Sequence, residues 1–285
     1  TFVVTQYWTS IMFAKVVVGT ANATSAGWGN LGGGVTQALM PQFLELMRVF
    51  GLDDDKAWRV VMVIPGSMAL GIGLLLFFFS DDCPDGNYRT LIASGRKTAA
   101  NPLKTMARAS SNIRSWILFL LYACCFGVEL IMNGNLADYF GEQFGLSEGH
   151  AGLAASLFGL MNLFARSLGG LASDLGSKYR GMKGRLIVFF AVELLEGVLL
   201  LVFSRMRVLG AALPTLILFS TFVQMSEGAT FGIVPYVDGP ATGAVSGIVG
   251  AGVNFVYVTL VLLFDNFPGP LAATDLLCRT WMVQR

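Results

Sequence analysis

Long apolar stretches follow one another along this chain and constrain its fold more than any other feature. A helix that crosses a lipid bilayer needs about 20 largely apolar residues. Such stretches lie at 1–14, 16–47, 58–79, 113–136, 151–172, 185–203, 210–234 and 241–264. The first is short for a span, and the second is long enough to tilt in the membrane. The sequence therefore predicts an all-α, multi-pass membrane protein with about eight transmembrane helices.

Composition favours a surface that faces lipid. Only 13% of the 285 residues are charged, against about 25% in soluble domains, whose surfaces are covered by charge. Glycine, at 34 residues, allows helix backbones to approach closely in lipid. Because the net charge is only +1, no overall field attracts nucleic acid. We therefore expect the lipid bilayer, and no nucleic acid, among the partners.

Residue types that carry enzyme chemistry are isolated or missing. The four cysteines, Cys83, Cys124, Cys125 and Cys278, show no paired spacing, and the one histidine, His150, cannot supply a metal cluster. The sequence has no Ser-His-Asp arrangement and no phosphate-binding loop. We expect no metal site, no cofactor and no enzymatic activity.

Charged segments between the spans predict the topology. The segments 80–112 and 173–185 are basic and are separated by two spans, so both fall on one side, which the positive-inside rule assigns to the cytoplasm. Segment 137–150 on the other side is acidic, although Arg205 and Arg207 on that side count against the assignment. Segment 80–112 is thus a central cytoplasmic loop between helices at 1–79 and helices at 113–264, and 265–285 is a tail of uncertain structure.

Two of the spans are rich in glycine. The first contains Gly27, Gly29, Gly32, Gly33 and Gly34 around Asn30. The second contains Gly247, Gly250 and Gly252 and ends at Asn254. Each glycine inside a helix costs up to about 1 kcal/mol relative to alanine. We therefore expect a neighbouring helix or a substrate to contact the backbone at these positions. A plain small-residue packing seam is the alternative. Glycine-interrupted helices in corresponding halves of a transporter indicate a site between the halves.

The run Ala26–Gly34 resembles the nitrate signature in the fifth helix of the nitrate/nitrite porter family, within the major facilitator superfamily, and 243–254 resembles its second copy in the eleventh. Further runs, at Asp81–Asn87, Phe164–Gly170 and Gly228–Pro235, resemble the eukaryotic high-affinity branch. Gly170, Asp174, Gly181, Lys183 and Arg185 resemble a general superfamily motif. The second signature departs from the family at Val253 and Val256.

The resemblance implies a helical bundle of the major facilitator type that is incomplete. It identifies the spans as helices four to eleven, so the halves are 1–79 (helices 4–6) and 113–264 (helices 7–11). The chain opens at Thr1 rather than at a methionine, so we expect a first span that is cut short. The arginine that the family uses on its second helix then lies outside this sequence.

Arg166 is the leading candidate for substrate binding. It lies eight positions before Asp174, or roughly 12 Å along a helix, which is near the membrane midplane. A planar guanidinium matches a planar anion such as nitrate, and Asn162, one turn earlier, could add a donor. The alternative is an arginine that snorkels or pairs with a carboxylate. The family's use of an arginine here favours substrate binding, and the resemblance adds Tyr122, with Asn30 and Asn254 as further lining residues.

Carboxyl groups inside the spans are candidates for proton coupling, since burial favours their neutral form. Glu129 and Glu227 are the leading candidates. Glu193 and Glu196 rank lower, because we expect their helix to pack at the periphery. For each glutamate the alternative is a structural hydrogen bond to a neighbouring helix.

The resemblance implies transport of nitrate or nitrite by alternating access, as a proton symport at the plasma membrane. Some relatives need a small single-span accessory membrane protein. The alternatives are a porter for another small solute, and a truncated or regulatory membrane protein that does not transport.

Overall fold

The structure is a computed structural model that describes residues 2–97 and 101–265, with the backbone alone for residues 256–265. The tail predicted from Asp265 onward, apart from Asp265 itself, and Cys278 lie outside the described residues.

The described residues form α-helices and short 3-10 turns, and no strand. The ten α-helices are α1 (Phe2–Met12), α2 (Val18–Val49), α3 (Asp54–Phe79), α4 (Tyr88–Ala93), α5 (Pro102–Ser110), α6 (Ile113–Phe144), α7 (Glu148–Leu160), α8 (Ala165–Phe203), α9 (Leu209–Ile233) and α10 (Thr242–Asp265). The three 3-10 turns are Met161–Leu163, Val234–Tyr236 and Gly239–Ala241.

Helical backbone covers most of each predicted span, which confirms the all-α membrane fold. By length and composition, four helical segments of the described chain could cross a membrane: Asp54–Phe79, Ile113–Phe144, Glu148–Phe203 and Leu209–Tyr236. The third is 56 residues long, or roughly 80 Å of helix at 1.5 Å per residue, enough for two crossings. The total of eight crossings stays a prediction.

The boundaries predicted in the middle of the chain are wrong. The span predicted at 151–172 is interrupted by the 3-10 turn Met161–Leu163 and by Phe164 (φ −134°) before α8 begins. The loop predicted at 173–185 is helical in α8, except at Gly181, whose φ of 59° and ψ of −144° break the helix. Only glycine adopts that conformation without a Cβ clash, so the chain reverses there in one residue.

The predicted central loop contains two short helices, α4 and α5. Asn101 caps α5, because its side-chain oxygen accepts from the backbone nitrogens of Leu103 and Lys104, as helix N-caps do. At the other end of α5, Arg108 donates to Asp238 at 2.5 Å. The ion pair fixes the linker to the turn that precedes α10.

Helix α2 lies at the centre of the bundle. It packs against α7, α8 and α9, whereas α1 packs against α10 and α10 against α6. Helix α3 touches mainly α2, and only 6% of its most apolar window is buried by protein. In a membrane, hydrocarbon covers such a surface, because lipid tails are as apolar as the side chains.

Candidate functional site

Arg166 lies in the first turn of α8, directly after the helix break at Phe164. Its side chain is fully buried. The break lets the chain change direction, so Arg166 points into the bundle between α2, α6 and α9. A charge in this position needs compensating groups.

The guanidinium of Arg166 has those groups. Its Nη2 lies 3.0 Å from Glu129 Oε2, and Glu227 forms a second ion pair with the same nitrogen. With the Asn30 amide oriented to satisfy the contact, its oxygen accepts from Nη1 at 2.8 Å and from Nη2 at 3.1 Å. The Phe126 ring centroid lies 5.5 Å from the guanidinium carbon, within cation–π range.

Glu129 also contacts Asn162, the residue predicted to add a hydrogen-bond donor beside Arg166. Asn162 Nδ2 donates to Glu129 Oε1 at 2.9 Å, and Asn133 Nδ2 lies 3.5 Å from the same oxygen. Asn162 and Glu129 are buried, with 0% and 1% exposure. We call Arg166, Glu129, Glu227, Asn30 and Asn162 the arginine cluster.

Tyr122 lies beside the arginine cluster in an aromatic box. Its ring stacks on Phe2 and meets Phe231 edge to face, with centroids 6.2 and 5.1 Å apart, and it also touches Phe126. The Tyr122 hydroxyl is buried without a hydrogen-bond partner among the described residues. A buried hydroxyl in this state is costly, so a bound polar ligand would stabilise it.

The first glycine signature serves mainly the helix seam. A Cβ added to Gly27 would lie 2.6 Å from the Asn162 oxygen, and one added to Gly34 would lie 2.5 Å from the Leu160 nitrogen. Gly33 faces Asn133 at 3.7 Å, whereas Gly29 and Gly32 meet nothing within 4 Å in the described chain. The packing-seam alternative therefore holds at Gly27 and Gly34, and the seam brings α2 against Asn162 and Arg166.

Comparisons with known proteins identify relatives of the chain. The chain is 41% identical to high affinity nitrate transporter 2.5 of Arabidopsis thaliana over 264 residues, which is 93% of this chain and 53% of that protein. It is 40% identical to nitrate transporter 2.2 of Chlamydomonas reinhardtii over 89% of this chain and 50% of that protein.

Over about nine-tenths of its length the chain is thus similar to proteins named nitrate transporters. A nitrate/nitrite transporter of Picosynechococcus is also 39% identical, over 156 residues that make up 53% of this chain and 28% of that protein. No family model matches the chain. The chain spans about half the length of the curated relatives it matches.

The second glycine signature of this chain lies away from the arginine cluster. Gly250 faces Val3 of α1, and Gly252 lies against the Phe119 backbone of α6. Asn254 is exposed on α10. The structure therefore does not bring Asn254 to Arg166, because α10 uses its buried face for α1 and α6. Val253 is buried at 3% exposure, and the side chain of Val256 lies outside the described residues.

A second charged cluster, which we call the latch, joins Asp174 and Arg185 of α8 to the start of α2. Asp174 accepts from the backbone nitrogens of Gly19 at 3.2 Å and Thr20 at 2.7 Å, and pairs with Arg185 Nη2 at 2.7 Å. Arg185 also donates to Ser173 at 3.0 Å. The sequence analysis placed Arg185 in the basic segment 173–185 and in one motif with Asp174. The structure shows that the two pair across the Gly181 reversal and that Arg185 is buried, at 1% exposure.

The opposite end of α2 is open. A cavity of about 1280 Å³ lies there between α2, α3, α6 and α7, with Glu45, Trp58 and His150 among its walls. Its lining also includes Gln37, whose Nε2 donates to the Asn133 oxygen at 2.5 Å. Because Asn133 also lies beside Glu129, a chain of contacts joins the cavity wall to the arginine cluster.

Proposed function

We propose that this chain forms part of a transporter that moves nitrate, and also nitrite, together with protons across a membrane. The observation that carries the proposal is the arginine cluster, in which a fully buried guanidinium is held by two carboxyl groups. The curated relatives are themselves named nitrate transporters. In this proposal Arg166 binds the anion, and Glu129 and Glu227 bind the protons.

Charge balance explains why protons and nitrate would move together. With both glutamates ionised, the arginine cluster carries a net charge of −1 and repels an anion. A proton on Glu129 removes that repulsion. It also weakens the ion pair between Glu129 and Arg166, so that Nη2 of Arg166 is free to bind the anion. A planar guanidinium can then offer two parallel N–H groups to a planar oxyanion. Binding of nitrate therefore requires protonation, which is the condition for symport.

The donors around the anion follow from the contacts. Asn30 and Asn162 already lie against Arg166 and Glu129, respectively. When Glu129 is protonated, its acceptor strength falls, and the amide of Asn162 is released toward the ligand. Tyr122, whose hydroxyl is unpaired within the described chain, supplies a further donor.

Alternating access follows from the two ends of α2. The latch closes the end that the basic segments assign to the cytoplasm, and the cavity opens on the other side. We propose that residues 1–79 and 113–264 belong to two halves that rock about the arginine cluster, as in major facilitator transporters. In the arrangement described here, nitrate and protons reach the site from outside.

The plasma membrane and a small single-span accessory protein belong to the same proposal. They rest on the family resemblance alone. Helix α3, with its apolar exposed face, is available to lipid or to such a partner.

Nitrate uptake by cells expressing the complete gene product tests the proposal. We expect Arg166→Ala to abolish uptake, because it removes the anion's charge partner. The matched control is Arg59→Ala, since Arg59 forms an exposed ion pair with Asp55 and such pairs contribute little. Uptake that survives in Arg166→Ala would contradict the proposal. Uptake of another small anion, but not of nitrate, would favour a porter for a different solute.

A further inference from the structure

A second pair of carboxyl groups lies inside the bundle. Glu193 and Glu196 lie midway along residues 182–203 of α8. Glu196 is 5% exposed, and Glu193 is half-buried. The sequence analysis ranked them low because their helix was expected to be peripheral. At mid-membrane depth an ionised carboxylate without a partner is strongly unfavourable.

Groups from α6 and α9 surround this pair. Ser226 of α9 donates to Glu193 Oε2. From α6, the thiols of Cys124 and Cys125 lie within electrostatic range of both carboxyl groups. Cys125 is itself buried, and its sulfur donates to a backbone oxygen at 3.5 Å. The pair therefore lies in a polar pocket between three helices.

Within the described part of the chain, no positive charge compensates the pair. Neither carboxyl group forms an ion pair with a lysine, arginine or histidine within residues 2–97 and 101–265. In the same part of the chain, Glu196 Oε2 has no hydrogen-bond partner. One buried and one half-buried acid that lack a cation avoid the cost of charge by holding protons.

The pair is electrostatically connected to the arginine cluster. Glu196 lies within electrostatic range of Glu129. Ser226, the partner of Glu193, directly precedes Glu227 in α9, and Glu227 pairs with Arg166. Like charges disfavour one another, so a proton on one carboxyl group favours loss of the proton from the next.

We propose that Glu193 and Glu196 form a second proton-binding site, which exchanges protons with Glu129 and Glu227 of the arginine cluster. In the exchange, an O–H bond breaks at Glu196 and another forms at Glu129, and the negative charge moves to Glu196. Glu129 is then neutral and its repulsion of nitrate is removed. This inference rests on the proton symport proposed above.

Infrared spectroscopy of the purified, full-length protein in lipid vesicles tests the site without any assumption about substrate. The protein should show the C=O absorption of protonated carboxylic acids at neutral pH. Part of that absorption should be absent from the Glu193→Gln/Glu196→Gln double variant and present in Glu196→Asp, which keeps an acid. An absorption that is the same in the wild type and the double variant would overturn the proposal, whether or not the protein moves nitrate.

Transport by the same vesicles tests the exchange. Glu196→Gln should retain nitrate counterflow, which needs no net proton movement. Its accumulation driven by a pH gradient should fall by roughly tenfold per pH unit of gradient. Glu196→Asp should keep both. Accumulation that is unchanged in Glu196→Gln, or counterflow and accumulation lost together in both variants, would overturn the exchange. Counterflow that is absent from the wild type would refute nitrate transport itself, and the infrared result alone then decides the proton site.

Discussion

Arg166 keeps its charge inside the bundle because two carboxyl groups and an amide oxygen surround it. Removing one partner of a buried pair costs about 3–5 kcal/mol, because the other charge is left uncompensated. The same pair is a modest source of stability when complete. We therefore propose that this arrangement serves ligand and proton binding rather than stability.

Tyr122→Phe tests ligand binding separately from folding, because it removes only the hydroxyl group. The hydroxyl has no partner in the described chain, so its loss should leave the midpoint of thermal unfolding unchanged or slightly raised. If nitrate accepts from this hydroxyl, nitrate affinity should fall by about 1 kcal/mol, or roughly fivefold.

Nitrate titration and thermal unfolding of the purified variant measure both effects. Phe140→Leu, at a buried ring away from the arginine cluster, is the control that should lower stability and leave affinity alone. Unchanged nitrate affinity in Tyr122→Phe would remove Tyr122 from the site.

Sequence reasoning identified the members of the arginine cluster but not their contacts. Arg166, Glu129 and Glu227 stand out because charge is rare in apolar spans. That Glu129 and Glu227 both pair with Arg166 could not be predicted, because they come from α6 and α9 and meet only in the folded bundle. Glu196, ranked low because its helix was expected at the periphery, is buried within the bundle at 5% exposure.

At the scale of elements, the approach of α2 to α7 and α8 depends on missing side chains. Gly34→Ala should destabilise the protein by about 1–3 kcal/mol, because the new methyl group meets the backbone of Leu160 and Gly159. Gly32→Ala, in the same signature, meets open space in the described chain. It should be neutral, or stabilising by up to about 1 kcal/mol.

Thermal unfolding in detergent compares the two glycine variants directly. If Gly34→Ala and Gly32→Ala changed the unfolding temperature equally, the claim that Gly34 lies in a helix-packing seam would be contradicted. Sequence analysis predicted that the glycines of α2 allow close approach of a neighbouring group. It could not tell which glycines face another helix, because the rotation of α2 about its axis decides which residues do so.

The latch holds the first turn of α2 through charge-assisted hydrogen bonds. In Asp174→Asn the charge is lost and the hydrogen bonds to Gly19 and Thr20 weaken, by about 1.5–3 kcal/mol in all. Hydrogen exchange at the start of α2 should therefore accelerate by roughly tenfold or more, while exchange in α3 should not change. Equal protection of the start of α2 in both proteins would show that the latch does not hold this end closed.

Two helix interruptions explain why the predicted boundaries failed near the latch and the site. Gly181 reverses the chain within one residue, so a basic segment with the composition of a loop is folded into helix and buries Arg185. The 3-10 turn before Phe164 carries no proline or glycine signal. Tertiary contacts of Asn162 with Glu129 and α2 hold it instead.

At the scale of the whole molecule, one end is closed by the latch and the other opens into a cavity. The arginine cluster lies between them, where a bound ion could be offered to either side. Burial of one positive and two negative groups there makes the affinity for an anion depend on protons. In the mechanism proposed above, the charges fix the sign: nitrate would bind when the glutamates are protonated and would be released as the pH rises.

The most direct test is the nitrate affinity of the purified complete protein, measured against pH, beside a Glu129→Gln/Glu227→Gln double variant. In the wild type, affinity should fall as pH rises, by up to about tenfold per pH unit for each proton bound with nitrate. In the double variant the amides mimic the protonated acids, so affinity should stay high and independent of pH. A wild-type affinity that does not change with pH, or a double variant with the wild-type slope, would contradict a proton-dependent nitrate site at Arg166.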